Sequence, residues 1–439
     1  MNLDEYIAAD ATLLAASVRS RATTADELRD LAGRCHRATD ATIHAIVEWY
    51  DDPDPVTGVD GPLAGVPILR KDYGSTESGR LVEMGSRLAR GVRAARTSPY
   101  FERLRGAGAQ VLGRTAVPEL IQHGSTESQA FGVTVNPLDP SVSPGGSSGG
   151  AAAAVAAGVV PLAHASDCAG SIRIPAAACG LVGLKPSRRR VPWPDGGWGG
   201  IAEEFVVCRT VRDAALALDV LGEGPYLDVP PTDRPLRIAI SADHWGGGVV
   251  DSEVAAAVGR AAATLEARGH EVVAVSQPID DAALFATFPA LFARWVAADV
   301  DRLVVATGRS ADESLEPATR AIVDAARQLT VDDVTQAQIA QGHVAVQLAA
   351  AVDGFDALLT PTIARATIPL GFLDGASGDL EVYAERNGEW FPFSYAFNLA
   401  GWPALAVPVQ GPTAQRPGSV QLAAPWGSER RLLAIAALL

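Results

Sequence analysis

The sequence predicts an α/β fold in which a mixed β-sheet core is covered by helices on both faces. Residues 98–115, 151–167 and 253–276 each run from a helix-forming segment through a glycine into a strand with β-branched residues. That repeated order is typical of helices packed on a sheet. The chain has 439 residues, 48% hydrophobic and 20% charged, which suits one large unit with an appendage. We therefore expect a helical region over residues 1–60, packed on a single globular unit over 61–439.

The first part of the chain predicts helices followed by a strand. Residues 1–50 have the pattern of two or three amphipathic helices, and Thr23 or Thr24 is the expected cap of one of them. A segment rich in Asp, Pro and Gly then leads into a short apolar strand that ends at Lys71. This lysine is therefore expected at the end of a strand.

The later part returns to strands after a helical stretch. Residues 186–200 are rich in Pro, Gly and Trp and predict an irregular loop. The alanine-rich residues 283–350 predict an outer layer of helices. Strands and loops return near residue 355, and residues 396–409 predict a buried segment. We find no repeat with the period of a solenoid, so a single α/β unit decorated by helices is the simplest interpretation.

Charge and composition narrow the range of partners. The formal net charge of −15 repels phosphate backbones and anionic lipid, so we expect no nucleic-acid and no membrane partner. A small-molecule substrate fits better. The N-terminus has no basic stretch before its apolar part, so a signal peptide is not predicted and a cytoplasmic location is expected. We expect a monomer or homodimer.

The cysteines predict neither a metal site nor a disulfide framework. They are widely spaced, form no C-x-x-C pair and have no cluster of histidines beside them. Reduced thiols are the expected state, and we expect no metal and no cofactor. The four positions are Cys35, Cys168, Cys179 and Cys208.

The segment PGGSSGG, residues 144–150, places two serines between pairs of glycines before a predicted helix. A phosphate-binding loop would need a following lysine or a different glycine spacing, and neither is present. A flexible turn remains an alternative. The third interpretation is nucleophilic catalysis, in which a serine needs a base within hydrogen-bond reach. None of the seven histidines is accompanied by a G-x-S-x-G elbow, so a histidine triad is not supported.

Lys71 is the alternative base. Only two of the 36 basic residues are lysines, Lys71 and Lys185, which suggests that a lysine is kept where arginine would not serve. A desolvated lysine loses its proton readily, whereas arginine stays charged. A solvated surface lysine is the competing interpretation. We expect Lys71 to be buried and able to accept a proton.

Lys71, the Gly–Ser loop and SDCAGSIRIP (residues 166–175) occur in an order that resembles the amidase signature family of Ser–cisSer–Lys hydrolases. Ser171 follows Ser147 by 24 positions, as in that family. The similarity extends over most of the chain. Further matching segments are GPLAGVPILRKD, GRTAVPEL, FGVTVNPLD, CGLVGLKPSRRRVP, RTVRDAA, LLTPT and NLAGWPALAVPV.

The resemblance implies a role for each site residue. Ser171 would be the nucleophile, and Ser147, after a cis bond to Gly146, would bridge it to Lys71. Ser148 would support the bridge. The backbone N–H groups expected to bind the oxyanion belong to residues of one loop: Cys168, Ala169, Gly170 and Ser171. Asp167 and Arg173 would support the nucleophile, with a surface ion pair as the competing interpretation.

The same loop departs from the family pattern. Cys168 and Ala169 stand where glycines are usual, and Ala169 would be strained if its φ had to be positive. The chain is also somewhat shorter than many members of that family, so a more open cleft is expected. Six residues are expected to bind substrate: Leu120, Ile121, Gly124, Met84, Trp193 and Trp402. Three further aromatic residues could add apolar surface: Tyr73, Trp198 and Phe393.

The implied activity is hydrolysis of C–N bonds in small, neutral, partly aromatic amides or anilides through an acyl-enzyme. Carbamates are an alternative, since the same acyl transfer cleaves them. A subunit of a tRNA-dependent amidotransferase, which needs partner chains, is a less favoured alternative. A catalytically inactive binding protein is a third, and the intact triad argues against it.

Overall fold

The structure is a computed structural model that describes residues 1–439 except 59, 194–196, 223, 228–233, 280, 374 and 411–417. The strands are β1 (Ile46–Trp49), β2 (Pro67–Lys71), β3 (Gln110–Thr115), β4 (Glu127–Ser128), β5 (Gly132–Val133), β6 (Leu162–Asp167), β7 (Val182–Lys185), β8 (Glu203–Cys208), β9 (Arg237–Ile240), β10 (Glu271–Ala274), β11 (Ala357–Pro361), β12 (Ala404–Val409) and β13 (Gly418–Ala423). The helices of the first half are α1 (Leu3–Ala8), α2 (Ala11–Arg19), α3 (Ala25–Ile43), α4 (Pro99–Gly106), α5 (Gly149–Ala156), α6 (Arg173–Ala178), α7 (Gly197–Gly200) and α8 (Val211–Gly222). Those of the second half are α9 (Ser252–Ala267), α10 (Asp281–Thr307), α11 (Ala311–Ser314), α12 (Pro317–Gln328), α13 (Val331–Ala351), α14 (Leu380–Trp390), α15 (Tyr395–Ala400) and α16 (Glu429–Ala436).

One large mixed sheet organises the described residues. Its eleven strands follow the order β1-β3-β2-β6-β8-β7-β12-β13-β11-β9-β10 within the described ranges, while β4 pairs only with β5. Strand β2 runs parallel to β6, so Lys71 and Asp167 end their strands at the same edge of the sheet. Strand β8 runs antiparallel to β6 and brings Glu203 and Glu204 to that edge. The edge therefore collects the titratable groups of three adjacent strands.

Two hydrophobic cores lie on the two faces of the sheet. Successive residues of β11, Leu358 and Leu359, belong to different cores, because neighbouring side chains of a strand point to opposite faces. The same alternation separates Ala404 from Leu405 in β12. The predicted mixed sheet with helices on both faces is confirmed.

The N-terminal helices pack into the first of these cores. Thr24 caps α3 through a capping box with Glu27, as one of the two predicted caps. The Tyr6 hydroxyl donates to the carbonyl of Val159 at 2.7 Å. Strand β1 follows α3, pairs with β3 and is the outermost strand on that side of the sheet. The first 50 residues are therefore continuous with the main core.

Residues 283–350, which are expected to form an outer layer of helices, pack into the second hydrophobic core. Helices α10 to α13 cover most of that range, and α10 packs against α12 and α13.

Residues 396–409 form α15 and β12 and are buried almost throughout. The irregular 186–200 loop contains α7, a four-residue turn in which Trp198 has a left-handed φ of 50°; residues 194–196 lie outside the described residues. None of the helices traced in the described ranges is long and apolar enough to cross a membrane.

Candidate active site

Lys71 occupies the last position of a strand that is buried along its whole length. Its side chain is fully buried, and its Nζ lies among three serine hydroxyls. The distances from Nζ to the Oγ atoms of Ser147, Ser148 and Ser166 are 2.8, 2.8 and 2.9 Å. A neutral amine can donate to two of these oxygens and accept a proton from the third. The geometry thus suits a lysine that exchanges protons with a hydroxyl.

Burial lowers the pKa of Lys71 to about 7, although the nearby acidic side chains of Asp167 and Glu204 act in the opposite direction. Removing an ammonium group from water favours its neutral form. The three serine hydroxyls around Nζ are uncharged, so they offer no negative charge that would stabilise the ammonium form of Lys71. Burial therefore favours the neutral form of Lys71, which can accept a proton.

The Gly–Ser loop brings two of those hydroxyls to the lysine. The Gly146–Ser147 peptide bond is cis, as the resemblance implies. A Cβ at position 146 would lie 2.2 Å from the carbonyl oxygen of Ser125, so only glycine fits there. Ser148 donates its backbone N–H to the carbonyl of Ser171 at 3.3 Å, which ties this loop to the next one.

Ser171 lies on the loop between β6 and α6 and is 6% exposed. Within the described residues, no hydrogen bond joins its hydroxyl to that of Ser147. Gly170, directly before it, has a φ of 122°, a value that L-residues rarely adopt. Ala169 does not have a positive φ. The strain considered for Ala169 therefore falls instead on a glycine, which tolerates it.

The same loop presents backbone donors. The Gly170 N–H donates to Asp167 Oδ1 at 2.7 Å and is therefore occupied. In the described part of the chain, the N–H groups of Ala169 and Ser171 have no acceptor, whereas the Cys168 N–H is hydrogen-bonded to its own thiol. Two of the four predicted oxyanion donors are thus unoccupied, and the Gly170 N–H holds the loop in shape.

Asp167 and Arg173 form a buried pair beneath this loop, and neither side chain is exposed. Arg173 contacts both carboxylate oxygens, at 2.8 and 2.9 Å. Burial would raise the pKa of Asp167, but Arg173 outweighs it and holds the pKa at about 2. Arg173 also donates to Gln421 and Asn398. The competing interpretation of Asp167 and Arg173 as an ion pair on the surface is excluded, because the pair is buried and hydrogen-bonded.

Sequence reasoning missed Ser166, His164 and Glu204, which surround Lys71 from neighbouring strands. His164 accepts the Lys71 backbone N–H at its Nδ1, 3.2 Å away. Its Nε2, which then carries the proton, lies 3.4 Å from Glu204 Oε1. Ser166 begins the matching segment SDCAGSIRIP, so its position in that motif was an available signal. For His164 and Glu204 the signal is the pairing of β6 with β8, which brings these two residues together beside Lys71.

A cavity of about 400 Å³ opens at Ser171. Its described lining contains no Asp, Glu, Lys or Arg. Helix α10 contributes Phe288 and Phe292, and the later chain contributes Phe391 and Tyr395. The polar lining side chains other than Ser171 are Gln122, His123, Tyr383, Tyr395 and Asn387. The site therefore suits a neutral, largely apolar group.

The predicted substrate-binding residues divide between this cavity and the surrounding core. Ile121 and Gly124 line the cavity, with Gly124 close enough to Phe391 that a Cβ would lie 2.6 Å from its ring. The other four of the six are not among the described lining residues: Leu120, Met84, Trp193 and Trp402. They pack within or against the second hydrophobic core instead, as do the three further aromatic residues Tyr73, Trp198 and Phe393.

Among the described residues, no group of three or more His, Cys, Asp or Glu side chains is placed so that it could bind one metal ion. The thiol of Cys168 lines the cavity, and burial raises its pKa to about 12. A thiol with that pKa is protonated and a poor nucleophile at neutral pH. The hydroxyl and amine groups are the reactive groups that the site offers.

Comparisons with known proteins agree with this arrangement. Residues 18–433 match the Amidase family model. The chain is 33% identical to a 6-aminohexanoate-cyclic-dimer hydrolase of Paenarthrobacter ureafaciens, over 98% of this chain and 94% of the relative. A solved structure of 6-aminohexanoate cyclic dimer hydrolase with substrate has a TM-score of 0.89 at 30% identity, covering 98% and 96% of the two chains. A bacterial aryl acylamidase structure has a TM-score of 0.86 at 26% identity, covering 98% and 95%. The chain therefore belongs to the amidase signature family of amide-hydrolysing enzymes.

Proposed function

We propose that this amidase cleaves small, neutral, partly aromatic amides or anilides through an acyl-enzyme on Ser171, with Ser147 and Lys71 as its proton relay. The 2.8 Å contact between Lys71 Nζ and Ser147 Oγ, inside a fully buried site, is the observation that carries the proposal. A serine hydroxyl becomes a useful nucleophile only beside a base. The lowered pKa of Lys71 supplies that base near neutral pH.

In the first step, neutral Lys71 takes the proton of Ser147 while Ser147 takes the proton of Ser171. The Ser171 oxygen attacks the substrate carbonyl carbon, and the carbonyl π-electrons move to oxygen. Rotation of the Ser171 side chain toward Ser147 would complete the relay, since apo catalytic hydrogen bonds often tighten only with substrate. The relay leaves Lys71 protonated and both serines uncharged.

In the second step, the new oxyanion accepts hydrogen bonds from the unpartnered N–H groups of Ala169 and Ser171. Preformed donors of this kind stabilise the charge that develops in the transition state. The oxyanion's electron pair re-forms the C=O bond as the C–N bond breaks, and the proton held by Lys71 returns through Ser147 to the leaving nitrogen. Water then attacks the Ser171 ester through the same relay, releasing the acid and restoring Ser171.

The lining of the cavity supports the substrate class. An ionised substrate group would enter an apolar space without a countercharge among the described lining residues, which is energetically costly. Aromatic side chains from α10 and the later chain suit a flat or ring-containing group. One relative is named for an aryl acylamide activity and another for a cyclic dimer. Neutral amides with substantial apolar surface fit both the lining and these names.

Release of a chromogenic aniline from a neutral acyl anilide tests the proposal. A matched carbamate of the same aniline distinguishes amide from carbamate cleavage by the ratio of the two rates. We expect Ser171→Ala to abolish release, whereas Ser141→Ala, an exposed serine outside the site, should keep it. Release by the Ser171→Ala protein would contradict the acyl-enzyme.

The same assay tests the amidotransferase alternative. An amidase that acts alone should turn over the anilide as a purified single chain. A folded protein whose Ser171 reacts with a fluorophosphonate, yet which cleaves the anilide only when partner chains are added, would favour the amidotransferase. A folded protein whose Ser171 stays unlabelled would favour the binding protein.

A further inference from the structure

We propose that His164 and Glu204 form a buried positioning pair for Lys71, in which the imidazole holds the Lys71 main chain and the carboxylate supplies a negative charge close to its amine. This inference rests on the proposed function and adds the residues that hold its base. The three residues come from the adjacent strands β2, β6 and β8. All three side chains are fully buried.

The backbone pairing of β2 with β6 ends before the lysine. The residues in register are Ile68 and Leu69 of β2, and no later residue of that strand pairs with β6 in the described structure. A side chain takes the place of the missing backbone acceptor, because His164 Nδ1 accepts the Lys71 N–H at 3.2 Å. The main chain of the base is therefore held by a group that a single substitution removes.

The tautomer of His164 follows from this bond. Because Nδ1 accepts, the single proton of the neutral ring lies on Nε2, which is 3.4 Å from Glu204 Oε1. A second proton, on Nδ1, would face the Lys71 N–H, so the ring serves in its neutral form, and burial lowers its pKa accordingly. Tyr100 and Phe101 pack on the ring at centroid distances of 4.7 and 5.3 Å. The imidazole is therefore fixed in both orientation and charge.

Glu204 extends the hold to the turn that follows β2. Its carboxylate accepts the backbone N–H and the hydroxyl of Ser75, each at 2.5 Å. Gly74 permits this approach, because a Cβ at that position would overlap Glu204 Oε1. These two groups and the His164 N–H all donate, so the carboxylate serves as an acceptor only, which is its role in the ionised form. The pair thus holds the chain on both sides of the strand end.

Two carboxylates interact with the Lys71 amine, and they differ in their countercharge. Asp167 is paired with Arg173 at 2.8 Å, whereas Glu204 has only the neutral His164 as a basic partner within 4 Å in the described part of the chain. The charge of Glu204 is therefore less compensated, and it favours the ammonium form of Lys71 against the effect of burial. The other titratable groups that interact with Lys71, His164 or Glu204 are Arg70, Tyr100, Cys168 and Glu203.

The pair has two consequences for Lys71. The imidazole fixes the point from which the side chain reaches the serine hydroxyls, and proton transfer is sensitive to such placement. The carboxylate opposes burial and keeps the pKa of Lys71 from falling further. A base is most effective when its pKa lies near the working pH, so the charge of Glu204 keeps the amine basic enough to take a proton from Ser147.

His164→Leu and His164→Asn test the positioning role. Leucine leaves the Lys71 N–H buried without its acceptor, whereas the Oδ1 of asparagine can take the place of Nδ1. We expect His164→Leu to lower kcat for the anilide by about 10- to 100-fold with KM nearly unchanged, and His164→Asn to restore most of the rate. Circular dichroism and Tm show whether each variant folds. A folded His164→Leu protein with the wild-type kcat would overturn the positioning role.

The charge effect can be measured directly, because the chain has only two lysines. Protein labelled with 13C- and 15N-lysine gives NMR signals from Lys71 and Lys185 alone, and the Lys→Met variants assign them. Glu204→Gln keeps the shape of the side chain and removes its charge. We expect the titration midpoint of Lys71 to move to lower pH by about 0.5 pH unit or more, and by more than that of Lys185.

Glu102→Gln is the matched control. It also removes one negative charge, and it lies on α4, the helix whose aromatic residues pack on His164, but its side chain is exposed. The Lys71 midpoint in this variant should equal that of the wild type. A midpoint in Glu204→Gln that stays unchanged or moves to higher pH would overturn the charge role.

The titration also separates this inference from the proposed function, because it needs no substrate. A lowered Lys71 midpoint in Glu204→Gln supports the pair even if wild type cleaves no anilide, and fluorophosphonate labelling of Ser171 then replaces kcat for the His164 variants. An unchanged midpoint overturns the charge role even if the anilide is cleaved through Ser171 and Lys71.

Discussion

The two lysines of this chain occupy comparable positions and differ in what surrounds their amines. Lys71 ends β2 and Lys185 ends β7, and both side chains are fully buried. Burial lowers the pKa of Lys71 to about 7 and that of Lys185 to about 8. Burial is therefore enough to make a lysine titrate near neutral pH, and it does not by itself make a catalytic base.

The difference lies in the neighbours. Lys71 Nζ faces three hydroxyls, two of them on the loop that contacts Ser171. Lys185 Nζ donates to the carbonyl of Pro186 at 2.9 Å, a group that has no proton to give. Its strongest charged neighbour is Glu203, whose pKa burial raises to about 7. A proton relay needs hydroxyls beside the amine, and only the Lys71 site has them among the described residues.

The largest expected effect is at Lys71. Lys71→Met keeps the length of the side chain and removes the base, so kcat/KM should fall by about 10³-fold or more. Lys71→Arg should be equally inactive, because arginine keeps its proton. Anilide hydrolysis measures the loss, and circular dichroism shows whether each variant folds. A folded Lys71→Met protein with activity near wild type would show that Lys71 is not the base.

The pH dependence of the wild type should follow Lys71. The neutral amine is the active form, so kcat/KM should rise with pH through about 7 and level off above it. At pH 5, about two units lower, the rate should be roughly 100-fold below the plateau. The measurement is kcat/KM of the anilide between pH 5 and pH 9. A flat profile over this range would contradict the neutral-lysine relay.

Ser166→Ala should have a smaller effect, about 3- to 10-fold in kcat with KM unchanged. The third hydroxyl orients Lys71 Nζ and takes no part in the proposed proton transfer, so its loss loosens the base rather than removing it. Ser166→Thr keeps a hydroxyl and should restore most of the rate. A loss as large as that of Lys71→Met would instead place Ser166 in the relay.

Lys185→Met should change kcat/KM by less than about 3-fold and leave the pH profile unchanged, because Lys185 contacts no group of the proposed relay. Its effect should appear in stability. The folded pKa of Lys185, about 8, lies below the unfolded value, so holding the ammonium costs free energy below pH 8. Removing the ammonium also raises the pKa of Glu203 further.

Both effects have the same sign. Relative to Lys185→Met, wild type should become more stable as pH rises from 6 to 9, by roughly 1–3 kcal/mol. Urea unfolding of the two proteins at pH 6, 7.5 and 9 measures this difference. The opposite trend would show that the buried pair is arranged differently. A large loss of activity in a folded Lys185→Met protein would remove the distinction between the two lysines.

The sequence predicted the part of the site that depends on local order. Lys71 at a strand end and two serines in a glycine loop are visible as motifs, and the repeated helix–glycine–strand order predicted the sheet. Ser166 was missed although it begins the SDCAGSIRIP motif. Gln122 and Asn387 were missed because they reach the cavity only through packing between distant segments of the chain. Trp193 and Trp402 were predicted to bind substrate, but they pack within or against the second hydrophobic core. Residue type alone does not show which side of an element faces a cavity.

Activation of Ser171 by neutral Lys71 is tested by the rate at which a fluorophosphonate labels Ser171 as a function of pH. Intact-protein and peptide mass spectrometry locate and quantify the label. We expect a single label on Ser171 and a labelling rate that rises through about pH 7. Lys185→Met should show the same pH profile, and Lys71→Met should be labelled at least 100-fold more slowly. A label on another residue, or a labelling rate in Lys71→Met equal to that of wild type, would contradict activation of Ser171 by Lys71.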